Sequence, residues 1–110
     1  MKKQEEPLGS LEHLVLLAVM RLGDDAYGVT VRREIHGTAG RDLSIGAIYS
    51  TLVRLEAKGF VKSLTGEPTA ERGGRAKRYF RLTASGKAAL QNTHSTIQKM
   101  SAGIKGLRVT

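Results

Sequence analysis

Residues 44–59 read SIGAIYSTLVRLEAKG, and residues 60–65 continue as FVKSLT. In the first block Ile45, Ile48, Leu52 and Leu55 recur at three- and four-residue steps, the spacing of one apolar helix stripe. Ser44 stands where a hydroxyl can cap the first turn, and Gly59 where a helix commonly stops. The opposite face carries Gly46, Ala47, Ser50, Arg54 and Lys58. It is small and uncharged at its start and basic toward its end. A helix built only for solubility carries Glu and Lys on that face, whereas small side chains let a backbone approach another surface. Tyr49 borders the apolar stripe and suits the core and the outer face equally. The second block, β-branched and aromatic, has the composition of a strand.

Toward the N-terminus, Leu11, Leu14, Val15, Ala18 and Leu22 repeat at helical spacing, with Ser10 as the expected N-cap. Leu16, Leu17 and Val19 widen the apolar face, so this helix is expected to be buried on more than one side. GDDAYG (23–28) breaks it. A second short helix follows, with Tyr27, Val31 and Ile35 inward and Arg32, Arg33 and Glu34 outward, and GTAGRDLS (37–44) is turn chemistry. Toward the C-terminus, GEPTAERGG (66–74) reads as a loop and RAKRYFRLT (75–83) as a second strand. Thr83 is the expected cap of a final helix. There Leu90, Ile97 and Ile104 lie seven apart, as do Thr93, Met100 and Leu107, which forms an a/d seam. A helix of about 24 residues spans roughly 36 Å, too long for a domain of this size to cover. The seam therefore predicts a partner chain.

Charge is unevenly distributed. Residues 1–60 hold eight Lys/Arg against eight Asp/Glu, while residues 61–110 hold ten Lys/Arg against Glu67 and Glu71 alone. Half of those ten bases (Arg72, Arg75, Lys77, Arg78 and Arg81) fall within thirteen residues, on the predicted hairpin. A concentrated basic feature of this kind is the footprint of a polyanion binder. The chain has no cysteine, which excludes disulfides, thiolate metal sites and cysteine nucleophiles and fits a cytoplasmic protein. No apolar run is long enough for a membrane span, and the N-terminus lacks the pattern of a signal peptide. His13, His36 and His94 lie on three separate elements without ligand spacing, so neither a metal nor a cofactor is expected. No acid/base or nucleophile constellation stands out, and an enzyme is not expected.

The order helix, helix, turn, helix, strand, basic loop, strand, long helix is that of a winged helix-turn-helix. The fold class is mainly α with a small β-hairpin. Residues 1–9 are expected to form a flexible arm, 10–82 the DNA-binding domain and 83–110 a dimerisation helix. The third helix would enter the major groove of duplex DNA through Ser44, Gly46, Tyr49, Ser50 and Arg54. Arg72, Arg75, Lys77 and Arg78 on the wing would meet phosphates or the minor groove. An RNA-binding hairpin and a protein-interaction adaptor are the competing classes. A preference for palindromic duplex DNA would dismiss the first, and the arginines of the wing argue against the second.

Several blocks also carry a family likeness: Ala26-Tyr27-Gly28, Gly46-Ala47-Ile48-Tyr49, and Gly74-Arg75 leading to Lys77-Arg78-Tyr79 and Leu82-Thr83. In this order, from about Leu8 to Leu90, the chain resembles the PadR family of bacterial transcriptional regulators, in its short-tailed branch. The resemblance implies a homodimeric repressor bound to a palindromic operator, with the final helix crossing to the first helix of its partner. Leu90, Ile97, Met100 and Ile104 would then hold the dimer. A cleft lined by Leu14, Ala18, His94, Ile97 and Met100 would take a small aromatic effector. One drug-binding member of that branch sandwiches flat ligands between tryptophans, and this chain has none.

Overall fold

The computed structural model describes residues 7–66 and 77–107. Four α-helices and one antiparallel hairpin follow in the order α1 (Ser10–Leu22), α2 (Gly28–Ala39), α3 (Ile45–Ala57), β1 (Val61–Thr65), β2 (Arg78–Leu82) and α4 (Ala84–Ser101), with a 3-10 turn at Gly23–Asp25. This is the winged helix that the element order predicts. No described helix is long and apolar enough to cross a membrane.

Helices α1, α2 and α3 wrap a common core. Val15, Leu16 and Val19 meet Val31 and Ile35, and Ile48, Leu52 and Leu55 close it from α3. Ile45, expected on that stripe, sits one turn too early and remains exposed. The hairpin pairs Val61 with Leu82, Ser63 with Phe80 and Thr65 with Arg78, so Val61 and Phe80 point inward into the core. The Phe80 amide donates to the Ala26 carbonyl at 2.8 Å, and Tyr27 bridges to Tyr79. The segment before α2 thereby adds to the sheet as a short third edge and ties the wing to the helix-turn-helix.

Two of the three expected N-caps are formed. Ser44 Oγ accepts from the Ala47 amide and Thr83 Oγ1 from the Gly86 amide, each at 3.0 Å. The third is corrected: Ser10 is already helical, and the N-cap of α1 is Gly9, whose carbonyl accepts from the His13 amide at 2.8 Å.

The expected arm and the final helix also need correction. Leu8 packs against the core and its amide donates to Thr93 Oγ1 at 3.0 Å, so the chain is docked from there on. Helix α4 has 18 residues, about 27 Å, rather than 24. Gly103 and Gly106 adopt φ of 76° and 90°, left-handed backbone that ends the helix before Ile104 and Leu107. The seam is therefore divided. Leu90 and Thr93 are buried in the domain's own core, while Ile97 and Met100 remain 54% and 74% exposed. Leu90 is a core residue of its own domain.

The start of α4 is fixed at one backbone joint. The Phe60 carbonyl, just after α3, accepts from the Thr83 amide at 3.1 Å, and Thr83 Oγ1 donates to the Gly59 carbonyl at 2.6 Å. Gly86 lies against the same Phe60 carbonyl so closely that a Cβ there would overlap it.

A candidate nucleic-acid interface

Successive outward positions of α3 are Gly46, Ser50, Val53 and Ala57, at i, i+4, i+7 and i+11. All four are exposed, and Val53 stands 49% exposed at the middle of the line. None carries a charge. Ser44 is exposed at the head of the helix, where its hydroxyl is engaged as the cap. The stop of α3 follows Ala57, with Lys58 as C-cap and Gly59 at φ 81°.

The flanks of this face are held by specific contacts. Tyr49, 37% exposed, lays its ring over the backbone of Gly28, where an added Cβ would stand 2.5 Å from Cε2. This accounts for the Ala26-Tyr27-Gly28 step: a side chain at 28 would displace the ring. On the other flank Lys58 Nζ donates to Glu12 Oε2 at 2.8 Å, and Arg54 Nε lies 3.7 Å from the same oxygen. Arg54 also donates to Thr51 Oγ1 at 3.4 Å. The Lys58 hydrogen bond holds the Glu12 carboxyl below the usual carboxylate range, against the opposing effect of its burial. The basic end of the helix is therefore turned toward α1, and its charge is partly met within the protein.

At the base of the wing, Arg72 and Arg75 lie outside the described residues. Lys77 Nζ donates to Tyr27 Oη at 3.3 Å and sits 4.6 Å above that ring, which meets Tyr79 edge to face at 5.2 Å. Arg78 donates to Glu56 Oε1 at 2.6 Å, and Glu56 also accepts from Ser63 Oγ at 2.7 Å. The Ser63 hydroxyl and then the Arg78 charge keep the Glu56 carboxyl below its usual range. Arg81 pairs with Asp24 at 3.2 Å. The bases at the foot of the hairpin thus brace it against α2, α3 and the turn after α1.

A second basic surface lies on α2. Val29, Arg32, Arg33 and His36 line an open concavity with Asp42 of the turn before α3. Arg32 reaches Asp42 at 3.7 Å, and Arg33 has no ion-pair partner among the described residues. Glu34 is turned the other way, to Arg21 of α1 at 2.8 Å and Thr38 at 2.8 Å, and the Arg21 bond lowers its pKa. Because Tyr49 covers Gly28 and Asp42 meets Arg32, this surface adjoins the N-terminal half of α3.

The residues expected around an effector are only partly brought together. Leu14 and Ala18 line a groove of about 180 Å³ between α1 and α2, with Leu17, Ile35, Thr38 and Ala39, and Arg21 and Glu34 at its rim. His94, Ile97 and Met100 on α4 do not line it. His94 comes near His13 of α1. Burial first, and the His94 charge second, make protonation of His13 harder than for a free imidazole. Among the described residues no group of three or more His, Asp or Glu gathers as a metal site would require.

Sequence reasoning missed Val53 and Ala57, which it placed on neither face of the helix. Extending the line from Gly46 by seven and eleven residues finds both. It also left the basic face of α2 out of the interface, although Arg32 and Arg33 were read as outward.

Solved structures share this fold. A PadR family transcription regulator from Clostridium difficile superposes with a TM-score of 0.70 at 23% identity, covering 84% of this chain and 91% of its own. A transcriptional regulator from Clostridium thermocellum gives 0.68 at 23% identity, covering 92% and 99%. A PadR-like transcription factor from Bacteroides fragilis gives 0.67 at 20%, covering 82% of each. No curated protein matches the chain. The family model of the PadR-like transcriptional regulators matches residues 16–92, from the middle of α1 through the wing into α4. With a winged-helix fold and a family match over most of its length, the chain belongs to the PadR-like family of transcriptional regulators, winged-helix proteins that bind DNA.

Proposed function

We propose that the protein is a homodimeric repressor that acts in the cytoplasm on a palindromic duplex operator, with one α3 in the major groove of each half-site. The observation that carries this reading is the outer face of α3, an exposed and uncharged line of small residues flanked by Tyr49 and Arg54. Such a line lets the helix backbone approach base edges. The basic face of α2 (Arg32, Arg33 and His36) is suited to the adjoining phosphates, the usual place of the first helix of a helix-turn-helix. Arg72, Arg75, Lys77 and Arg78 are assigned to the backbone or minor groove beside it. A dimer is supported by apolar surface left exposed on two neighbouring elements, Leu17 and Met20 on α1 and Ile97 and Met100 on α4. Two such domains present half-sites about 34 Å apart.

Selection of bound duplexes from a random DNA pool tests this function. The expected result is a palindrome whose halves are one helical turn apart, with affinity falling steeply as salt rises. Equal retention of all duplexes, or preference for single-stranded RNA, refutes it.

A small aromatic molecule is proposed to relieve repression. The groove between α1 and α2 supplies Leu14 and Ala18, and α4 of a second copy would bring His94, Ile97 and Met100. Thermal shifts against planar phenolic and cationic compounds check this. No response across such a panel would leave a repressor without an effector.

A further inference from the structure

The line Gly46, Ser50, Val53, Ala57 lacks every side chain that reads bases by paired hydrogen bonds. Guanine is read by Arg or Lys, adenine by Asn or Gln, and cytosine by Asp or Glu. The two bases of α3, Arg54 and Lys58, are instead drawn sideways to Glu12. What the middle of the helix offers is the isopropyl group of Val53, 49% exposed and in no hydrophobic cluster of its own domain. A β-branched residue at an exposed helical position gives up helix propensity, and here no packing offsets that cost. Only one feature of the major groove matches an aliphatic group, the C5-methyl of thymine. Ser50 and Gly46, one and two turns earlier, leave room for the backbone to come close enough for that contact.

Resting on the reading of α3 as the recognition helix, we infer that Val53 determines operator specificity by packing on a thymine methyl in each half-site. Hydrogen bonding then has a minor part in base discrimination. Ala57 extends the same apolar contact by one turn, and Ser50 adds a hydroxyl that serves several bases.

The test replaces thymine by uracil, one symmetric position at a time, in the duplex obtained by selection. Uracil keeps the pairing and removes only the methyl. A lost methyl contact weakens binding about 3- to 5-fold per half-site, and about 10- to 20-fold when both halves are changed. Val53→Ala should weaken binding to the thymine duplex by a similar factor and abolish its preference over the uracil duplex. Its thermal midpoint should be unchanged or higher, since the side chain lies outside the core, so misfolding is separated from lost contact. If no duplex is selected, the DNA-binding reading itself fails. If a duplex is selected and no thymine can be replaced at a cost, the inference fails while that reading stands. A uracil penalty that persists in Val53→Ala also overturns the assignment to Val53.

Discussion

Gly86→Ala tests the joint between α3, the wing and α4. The added Cβ would overlap the Phe60 carbonyl oxygen and stand 2.8 Å from Leu82 Cδ1. The obstacle is backbone and has no rotamer to change. Overpacking of this kind costs about 1–3 kcal/mol. Relief by sliding α4 away breaks the Thr83 to Phe60 and Thr83 to Gly59 hydrogen bonds, at about 1 kcal/mol each. Alanine returns about 1 kcal/mol of helix propensity. Whichever route is cheaper, the balance is a destabilisation of about 1–2 kcal/mol. Gly37→Ala is the control: Gly37 is exposed within α2, and its Cβ would meet nothing within 4 Å. It should stabilise by about 0.5–1 kcal/mol. Urea unfolding followed by circular dichroism, at one fixed protein concentration, reads both changes. Equal stability of Gly86→Ala and the unmutated protein would refute the account of the joint.

Glu12→Gln should lower stability by about 1 kcal/mol at neutral pH. The native Glu12 pKa is depressed, so the stabilisation is present above the usual value of 4.5 and is lost as pH falls through the lower native value. The variant and the parent should therefore converge in acid unfolding curves, and a gap that persists would refute the pairing. Ile97→Asp places a charge on the exposed apolar surface of α4 and should yield a folded monomer by sedimentation. A monomeric parent at micromolar concentration would sink the dimer. Arg33→Ala should weaken operator and scrambled duplexes alike and reduce the salt slope by about one per lost phosphate contact, up to about two per dimer. An unchanged slope would remove α2 from the interface.

Local signals made much of this architecture legible. Ser44 and Thr83 could be recognised as caps because capping spans three residues. The core stripe of α3 is likewise a local pattern. The run of heptads misled because apolar spacing continued through Gly103 and Gly106, whose left-handed backbone outweighs the periodicity. Leu90 went to its own core because α4 packs on α1, where the Leu8 amide is tied to Thr93 across more than eighty residues of sequence. The same long range hides the Glu12 pair with Lys58 and the collision that makes Gly86 obligatory. In the candidate site, Gly46 and Ser50 were legible as outward. The commitments of Lys77 to Tyr27 and of Arg78 to Glu56 were not, since they depend on the hairpin's tilt against the helices.

The Phe60 carbonyl is also a pivot in a geometric sense. It is the point at which α4 leaves the unit that carries α3, and α4 extends about 27 Å from it. A tilt of about 5° at this pivot swings the far end, with Ile97 and Met100, by roughly 2 Å. In a dimer clasped by those residues the motion runs equally in reverse. A small repacking at such a clasp would then be carried along α4 to the spacing of the two α3 helices. In the dimer proposed above, a rod of this length would be enough to shift one α3 against the other by a noticeable part of a base-pair step.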